Sequence, residues 1–143
     1  MIRLTKIFRF ETAHAIQGYS GKCRHIHGHS YALHVTVTDT QVHNNYLPGT
    51  GIMMDFKDIK TLVQQEVIDV FDHKLVLSKK FLEQNPDLPE DNLYEMDAEP
   101  TAENLLIWTR DKLHAVLPAG IRLSGLKLFE TADSFAEWIY TDQ

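Results

Sequence analysis

The sequence predicts an α+β fold of order ββααββ, an antiparallel sheet carrying two helices on one face. Three observations predict it. Residues 29–39 alternate, with Tyr31, Leu33, Val35 and Val37 set between Ala32, His34, Thr36 and Thr38. Two later segments repeat apolar residues at helical spacing behind good capping residues. The chain then returns to extended types near its end.

In chain order, residues 2–13 form the first strand, with Ile2, Leu4, Ile7, Phe8, Phe10 and Thr12 supplying apolar and β-branched types. Alternation breaks near Lys6-Ile7, which suggests a bulge. Gln17 to Gly28 reads as a loop, and 29–39 as the second strand. Residues 40–52, with Asn44-Asn45 and Leu47-Pro48-Gly49, form a long connection. Asp55 caps a helix over 56–71, in which Phe56, Ile59, Leu62, Val63, Val67, Val70 and Phe71 recur at helical spacing. Residues 78–100 contain Pro86, Pro89 and Pro100 and read as an extended loop, a length more often functional than neutral in a small domain. Thr101 caps a second helix over 102–116, buried through Leu105, Leu106, Trp108, Leu113 and Val116 and stopped by Pro118 and Gly120. Residues 121–131 and 134–141 are the last two strands, joined by Ala132-Asp133.

The length of 143 residues suits a single domain over 1–143, and a hydrophobic fraction of 43% supports an ordinary core. Lys and Arg number 14 against 20 Asp and Glu, a net charge of −6. That balance argues against nucleic acid as a partner, although an acidic protein can still hold a positive pocket. No apolar run approaches the ~20 residues needed to span a bilayer, so no membrane partner is expected. The single cysteine rules out an internal disulfide and, with no signal pattern at the N-terminus, points to a cytoplasmic protein.

Chemistry concentrates in Cys23-Arg24-His25-Ile26-His27-Gly28-His29, with His14 upstream. In extended backbone His27 and His29 point the same way and can share one metal. Three imidazoles favour zinc or another late divalent ion and leave a position open for water or substrate. The alternative is a set of loop histidines bonded to backbone. Cys23 sits between Lys22 and Arg24, cations that favour a thiolate, although a free cysteine also serves as a small buried residue. Asp72 and His73 can form an orienting pair for proton transfer, or His73 and Lys74 can simply complement a helix C-terminus. Glu130 is either a solvated strand residue or, facing a pocket, a carboxylate able to accept two hydrogen bonds from an amino-pyrimidinone edge. His25, His34, His43 and His114 carry no comparable context.

Together these pieces resemble the 6-pyruvoyl-tetrahydropterin synthase superfamily, and within it the bacterial carboxy-forming branch. The motifs are Phe10-x-x-Ala13-His14, Cys23-x-x-x-His27-Gly28-His29, Met54-Asp55-Phe56, Asp72-His73-Lys74, Pro100-Thr101-x-Glu103-Asn104 and Glu130-Thr131, in family order along nearly the whole chain. The resemblance implies a tunnelling fold in which trimers close a barrel and two trimers stack into a homohexamer with active sites between subunits. It implies His14, His27 and His29 as Zn2+ ligands, Cys23 as the catalytic thiol, and His73 with Asp72 as proton relay. Glu130 would anchor the pterin ring, with Thr101 and Glu103 near the same pocket. The implied activity is conversion of 7,8-dihydroneopterin triphosphate to 6-carboxy-5,6,7,8-tetrahydropterin, acetaldehyde and triphosphate, in queuosine biosynthesis. The short Cys-x-x-x-His-Gly-His gap resembles the carboxy-forming branch, and a cysteine rather than a glutamate argues against a folate-linked one. Two alternatives are a pyruvoyl product on the same fold and a zinc-binding protein without turnover.

Overall fold

The structure is a computed structural model that describes residues 1–88 and 91–142. Pro89, placed by the sequence in the long loop, lies outside the described residues. Strand β1 (Arg3–His14) pairs antiparallel with β2 (His27–Asp39) in one unbroken register, from Arg3 opposite Thr38 to His14 opposite His27. The bulge expected at Lys6-Ile7 is therefore absent. Alternation continues through that point, with Lys6 half-buried on the inner face and Ile7 exposed on the outer one. A lysine tolerates the inward place because its stem lies along apolar surface while the amine reaches water. The irregularity sits elsewhere, where β5 (Ile121–Thr131) meets β2 at Thr36/Val37.

Helix α1 (Phe56–Val63) starts at Asp55, whose side chain accepts from the Lys57 amide, as expected. It runs through a π-helical turn (Gln64–Ile68) into α2 (Asp69–Phe71), so the helix read over 56–71 is continuous but not uniform. The segment after it departs from the sequence reading. The span 78–100 is not a loop: Ser78 caps a short helix α3 (Lys79–Gln84), and two short strands, β3 (Lys74–Ser78) and β4 (Leu93–Met96), flank it. Strand β3 pairs parallel with β1 and with β4. Helix α4 (Ala102–Val116) then begins at Thr101, whose hydroxyl accepts from the Asn104 amide. Strand β6 (Ser134–Ile139) closes the sequence, antiparallel to β5.

The six strands form one mixed sheet in the order β4-β3-β1-β2-β5-β6. Four of them give the antiparallel body expected, and β3 and β4 add a parallel edge. Phe8, Phe10, Tyr31, Leu33, Leu126 and Leu128 point to the inner face and meet Ile59, Val63, Phe71, Leu105 and Leu113 from the helices. The rings of Phe10 and Tyr31 stack at 5.1 Å between centroids. In α4 the expected Val116 is exposed, and Thr109 takes a core place instead. Its hydroxyl is satisfied by donating to the Leu105 carbonyl at 2.8 Å.

Candidate metal and catalytic site

The inner face of β1 and β2 runs out of core at one end of the sheet, and His14, His27 and His29 occupy that end. Even residues of β1 and odd residues of β2 face inward, so alternation delivers all three rings to one side. Gly28, between two of them, faces the Thr12 carbonyl, where an added Cβ would stand 3.7 Å away. Each histidine offers one nitrogen, and the three nitrogens lie within 4.8 Å of one another.

Backbone carbonyls orient two of the rings. His14 Nδ1 donates to the Pro100 carbonyl at 2.7 Å, and His27 Nδ1 donates to the His25 carbonyl at 2.7 Å. A carbonyl only accepts, so the neutral rings keep their hydrogen on Nδ1 and turn bare Nε2 atoms inward. The Tyr31 hydroxyl lies 3.3 Å from His14 Nδ1. His29 Nε2 is buried and finds no hydrogen-bond partner. Burial holds His14 and His29 below the ordinary imidazole value, in the neutral form a metal requires. Convergent, unprotonated, partly orphaned nitrogens fit a divalent ion with nitrogen preference.

Glu130 joins this cluster. Its Oε1 lies 3.5 Å from His29 Nε2, so it faces the site and is not a solvated strand residue. Burial, with the Glu130 charge adding to it, pushes the Tyr31 phenol up. Cys23 is half-buried in a 3-10 turn (Lys22–Arg24), and its carbonyl accepts from the Ile16 amide at 2.9 Å, which ties the loop back to the end of β1.

Asp72 and His73 are brought together with each other, and His73 shares with His29 the wall of one open hollow without contact between the rings. Asp72 Oδ1 accepts from the Glu11 amide at 2.9 Å and lies 3.0 Å from His73 Nδ1. The His73 amide in turn donates to the Glu11 carbonyl at 2.7 Å, which clamps the pair onto β1. His73 adopts φ 60°, outside the helical region, and its side chain is 78% exposed. Thr12 pairs with His29 on one side and Lys74 on the other, so the pair stands about two strand spacings, roughly 10 Å, from His29.

Thr101 and Glu103 stand at the start of α4. Thr101 follows the carbonyl that orients His14, whereas Glu103 is exposed and forms no hydrogen bond or ion pair with the histidines among the described residues. Residue patterning did not single out the Pro100 and His25 carbonyls, Tyr31, or Glu99, whose Oε1 accepts from the Gln17 amide at 2.6 Å. A backbone acceptor leaves no trace in side-chain type. Tyr31 was legible only as a core residue.

Comparison with known proteins places this geometry. The family model described as 6-pyruvoyl tetrahydropterin synthase matches residues 3–139. A Rickettsia felis protein named 6-carboxy-5,6,7,8-tetrahydropterin synthase is 31% identical over 142 residues, covering 96% of this chain and 99% of its own length. The human 6-pyruvoyl tetrahydrobiopterin synthase is 32% identical over 111 residues, covering 78% of this chain and 66% of its own. Among solved structures, the Caenorhabditis elegans 6-pyruvoyl tetrahydropterin synthase superposes with a TM-score of 0.67 at 21% identity, covering 98% of this chain and 96% of its own. That likeness shows the tunnelling fold.

Proposed function

The chain belongs to the 6-pyruvoyl tetrahydropterin synthase family, and from that premise we propose that it carries out the carboxy-forming reaction. In this reading 7,8-dihydroneopterin triphosphate becomes 6-carboxy-5,6,7,8-tetrahydropterin in a zinc-dependent step that consumes water and releases acetaldehyde and triphosphate. The side chain is oxidised while the ring is reduced, so no nicotinamide is required. The observation that carries the reading is the convergence of the His14, His27 and His29 nitrogens at the end of the sheet. The near full-length likeness to the R. felis protein and the short gap between Cys23 and His27 favour the carboxy product.

His14, His27 and His29 would hold the zinc. When bound, it supplies Lewis-acid polarisation of the substrate's side-chain oxygens, which acidifies the neighbouring C–H bonds. Cys23, as thiolate, takes a proton from carbon, and Asp72 keeps His73 oriented to relay it. Glu130 accepts hydrogen bonds from the pterin beside His29, with Thr101 and Glu103 bordering the pocket. Three nitrogen ligands leave room for substrate, which favours an enzyme over a closed zinc store.

The proposed assembly is a homohexamer, a dimer of trimers, working in the cytoplasm in queuosine biosynthesis. The exposed His73 is free to complete the site of a neighbouring subunit. Among the described residues no helix is long and apolar enough to cross a membrane. A second reading, a pyruvoyl product, is favoured by the likeness to the human protein. Mass analysis of products from zinc-loaded protein and 7,8-dihydroneopterin triphosphate, without added reductant, separates them. A 6-carboxy product with acetaldehyde supports the first reading, a pyruvoyl product the second, and no turnover overturns both.

A further inference from the structure

The turn that carries Cys23 also carries two cations, one on either side of the thiol-bearing residue. Lys22 and Arg24 are exposed and form no ion pair among the described residues. The Arg24 side chain makes one hydrogen bond among the described residues, Nε to His25 Nε2 at 3.3 Å, which leaves its terminal nitrogens available.

Beneath this arm lies an open hollow lined in part by Gln17, Tyr19, Arg24, His25, Gln84 and Asn85. Among the described residues no carboxylate lines it, and Glu99, which accepts from the Gln17 amide, stands behind the wall. Each of four other hollows on the molecule has at least one Asp or Glu in its wall. In a chain with 20 acidic residues against 14 basic, that absence suits this wall, alone of the five hollows, to an anion.

The polar groups there are set to donate. Gln84 Oε1 is occupied by Gln17 Nε2 at 2.6 Å, which leaves the Gln84 amide nitrogen available. Tyr19 is held over the arm, because its ring covers Gly21 so closely that an added Cβ would meet Cε1 at 2.5 Å. The hollow also adjoins the metal cluster. The His25 carbonyl orients His27, and Arg24 is three residues from His27, no more than about 11 Å of chain.

We propose that this hollow seats the phosphate chain of the substrate, with Arg24 as its anchor and Lys22 as a second cation. The assignment rests on the pterin triphosphate reading above. A guanidinium binds phosphate oxygens in a two-pronged manner that a carboxylate-free wall does not oppose. When the C–O bond to the departing triphosphate breaks, its electron pair leaves on the bridging oxygen while Cys23 holds the proton lost from carbon. Arg24 then faces the growing negative charge.

The test compares two probes, inorganic triphosphate and phosphate-free 7,8-dihydroneopterin, by calorimetric titration of the zinc-loaded protein and its Arg24→Ala and Arg24→Lys variants. Metal content is checked after each titration. Arg24→Ala should weaken triphosphate binding roughly 10- to 100-fold, leave 7,8-dihydroneopterin unchanged, and flatten the salt dependence. Arg24→Lys should recover part of the loss. Equal losses for both probes, or none for triphosphate, would overturn the assignment. If wild-type protein binds triphosphate but not the pterin, the pterin reading falls and only a general anion site remains. If it binds neither, both fall.

Discussion

His14 and His27 face each other through Nε2 atoms 3.1 Å apart, and when both rings are neutral no hydrogen lies between them. The hydrogens are on the opposite nitrogens, held by the Pro100 and His25 carbonyls. Two lone pairs at that distance repel, and His29 Nε2 adds a third buried and unpartnered nitrogen. A bound cation relieves all three. Zinc should therefore stabilise the fold, by about 2.7 kcal/mol at a hundredfold excess over Kd, a rise in Tm on the order of 10 °C. His29→Ala should abolish the increment. A zinc-dependent rise that survives in this variant, followed by thermal denaturation with and without chelator, would place the metal elsewhere.

Thr101 couples helix stability to the metal site. Its hydroxyl caps α4 through the Asn104 amide at 3.2 Å, and the preceding carbonyl, that of Pro100, orients His14. Thr101→Val keeps the shape and removes the cap, so it should cost about 1 kcal/mol. It should also loosen the Pro100 carbonyl and lower zinc affinity roughly 10-fold. Thr101→Ser should restore both. Denaturant midpoints and a competitive metal titration read the two effects separately, and a stability loss without an affinity loss would show that they are independent.

These two sites show what the sequence could and could not reveal. Strong periods read well: the helix at 102–116 begins and ends as expected, and the second strand ends at Asp39 as expected although it begins at His27, two residues before the expected start. Strands β3 and β4 did not, because Lys74–Ser78 and Leu93–Met96 are too short to show a period and β3 runs apolar without alternation. The metal ligands were legible because spacing i, i+2 has one structural meaning in a strand. Their carbonyl partners were not, since Pro100 is brought to His14 across 86 residues of chain by the packing of α4. The facing of Glu130 was likewise undecided until the end of β5 was seen to turn its carboxylate toward His29.

The Asp72–His73 pair gives a sharper test of catalysis than the metal ligands do. Asp72→Asn retains an oxygen for the Glu11 amide but removes the charge facing His73 Nδ1. Activity should fall by roughly 10²- to 10⁴-fold, with zinc content unchanged. Cys23→Ala should behave alike. If the site is shared between subunits, mixing inactive Cys23→Ala and His73→Ala proteins under exchange conditions should restore turnover, because some interfaces then hold both intact groups. No recovery, with exchange confirmed by mass spectrometry, would confine the site to one chain.

His34 supplies a prediction away from the metal. It stands on the outer face of β2, directly opposite Lys127 on β5, with Arg9 nearby and the Phe129 ring 5.0 Å from its own. Burial first, then Lys127 and Arg9, hold it below the ordinary value of 6.5. The folded chain therefore keeps His34 neutral at a pH where the unfolded chain has begun to take up a proton. Stability from this residue is intact above about pH 6.5 and is lost as pH falls from there toward the folded value, then levels off. Lys127→Gln removes one cation and leaves the burial. The His34 titration, followed by NMR of the imidazole protons, should move upward without returning fully to 6.5, and the acid-side loss of stability should shrink with it. An unmoved titration would mean that burial alone sets the value and that the Lys127 charge is spent on Glu137, 3.5 Å away.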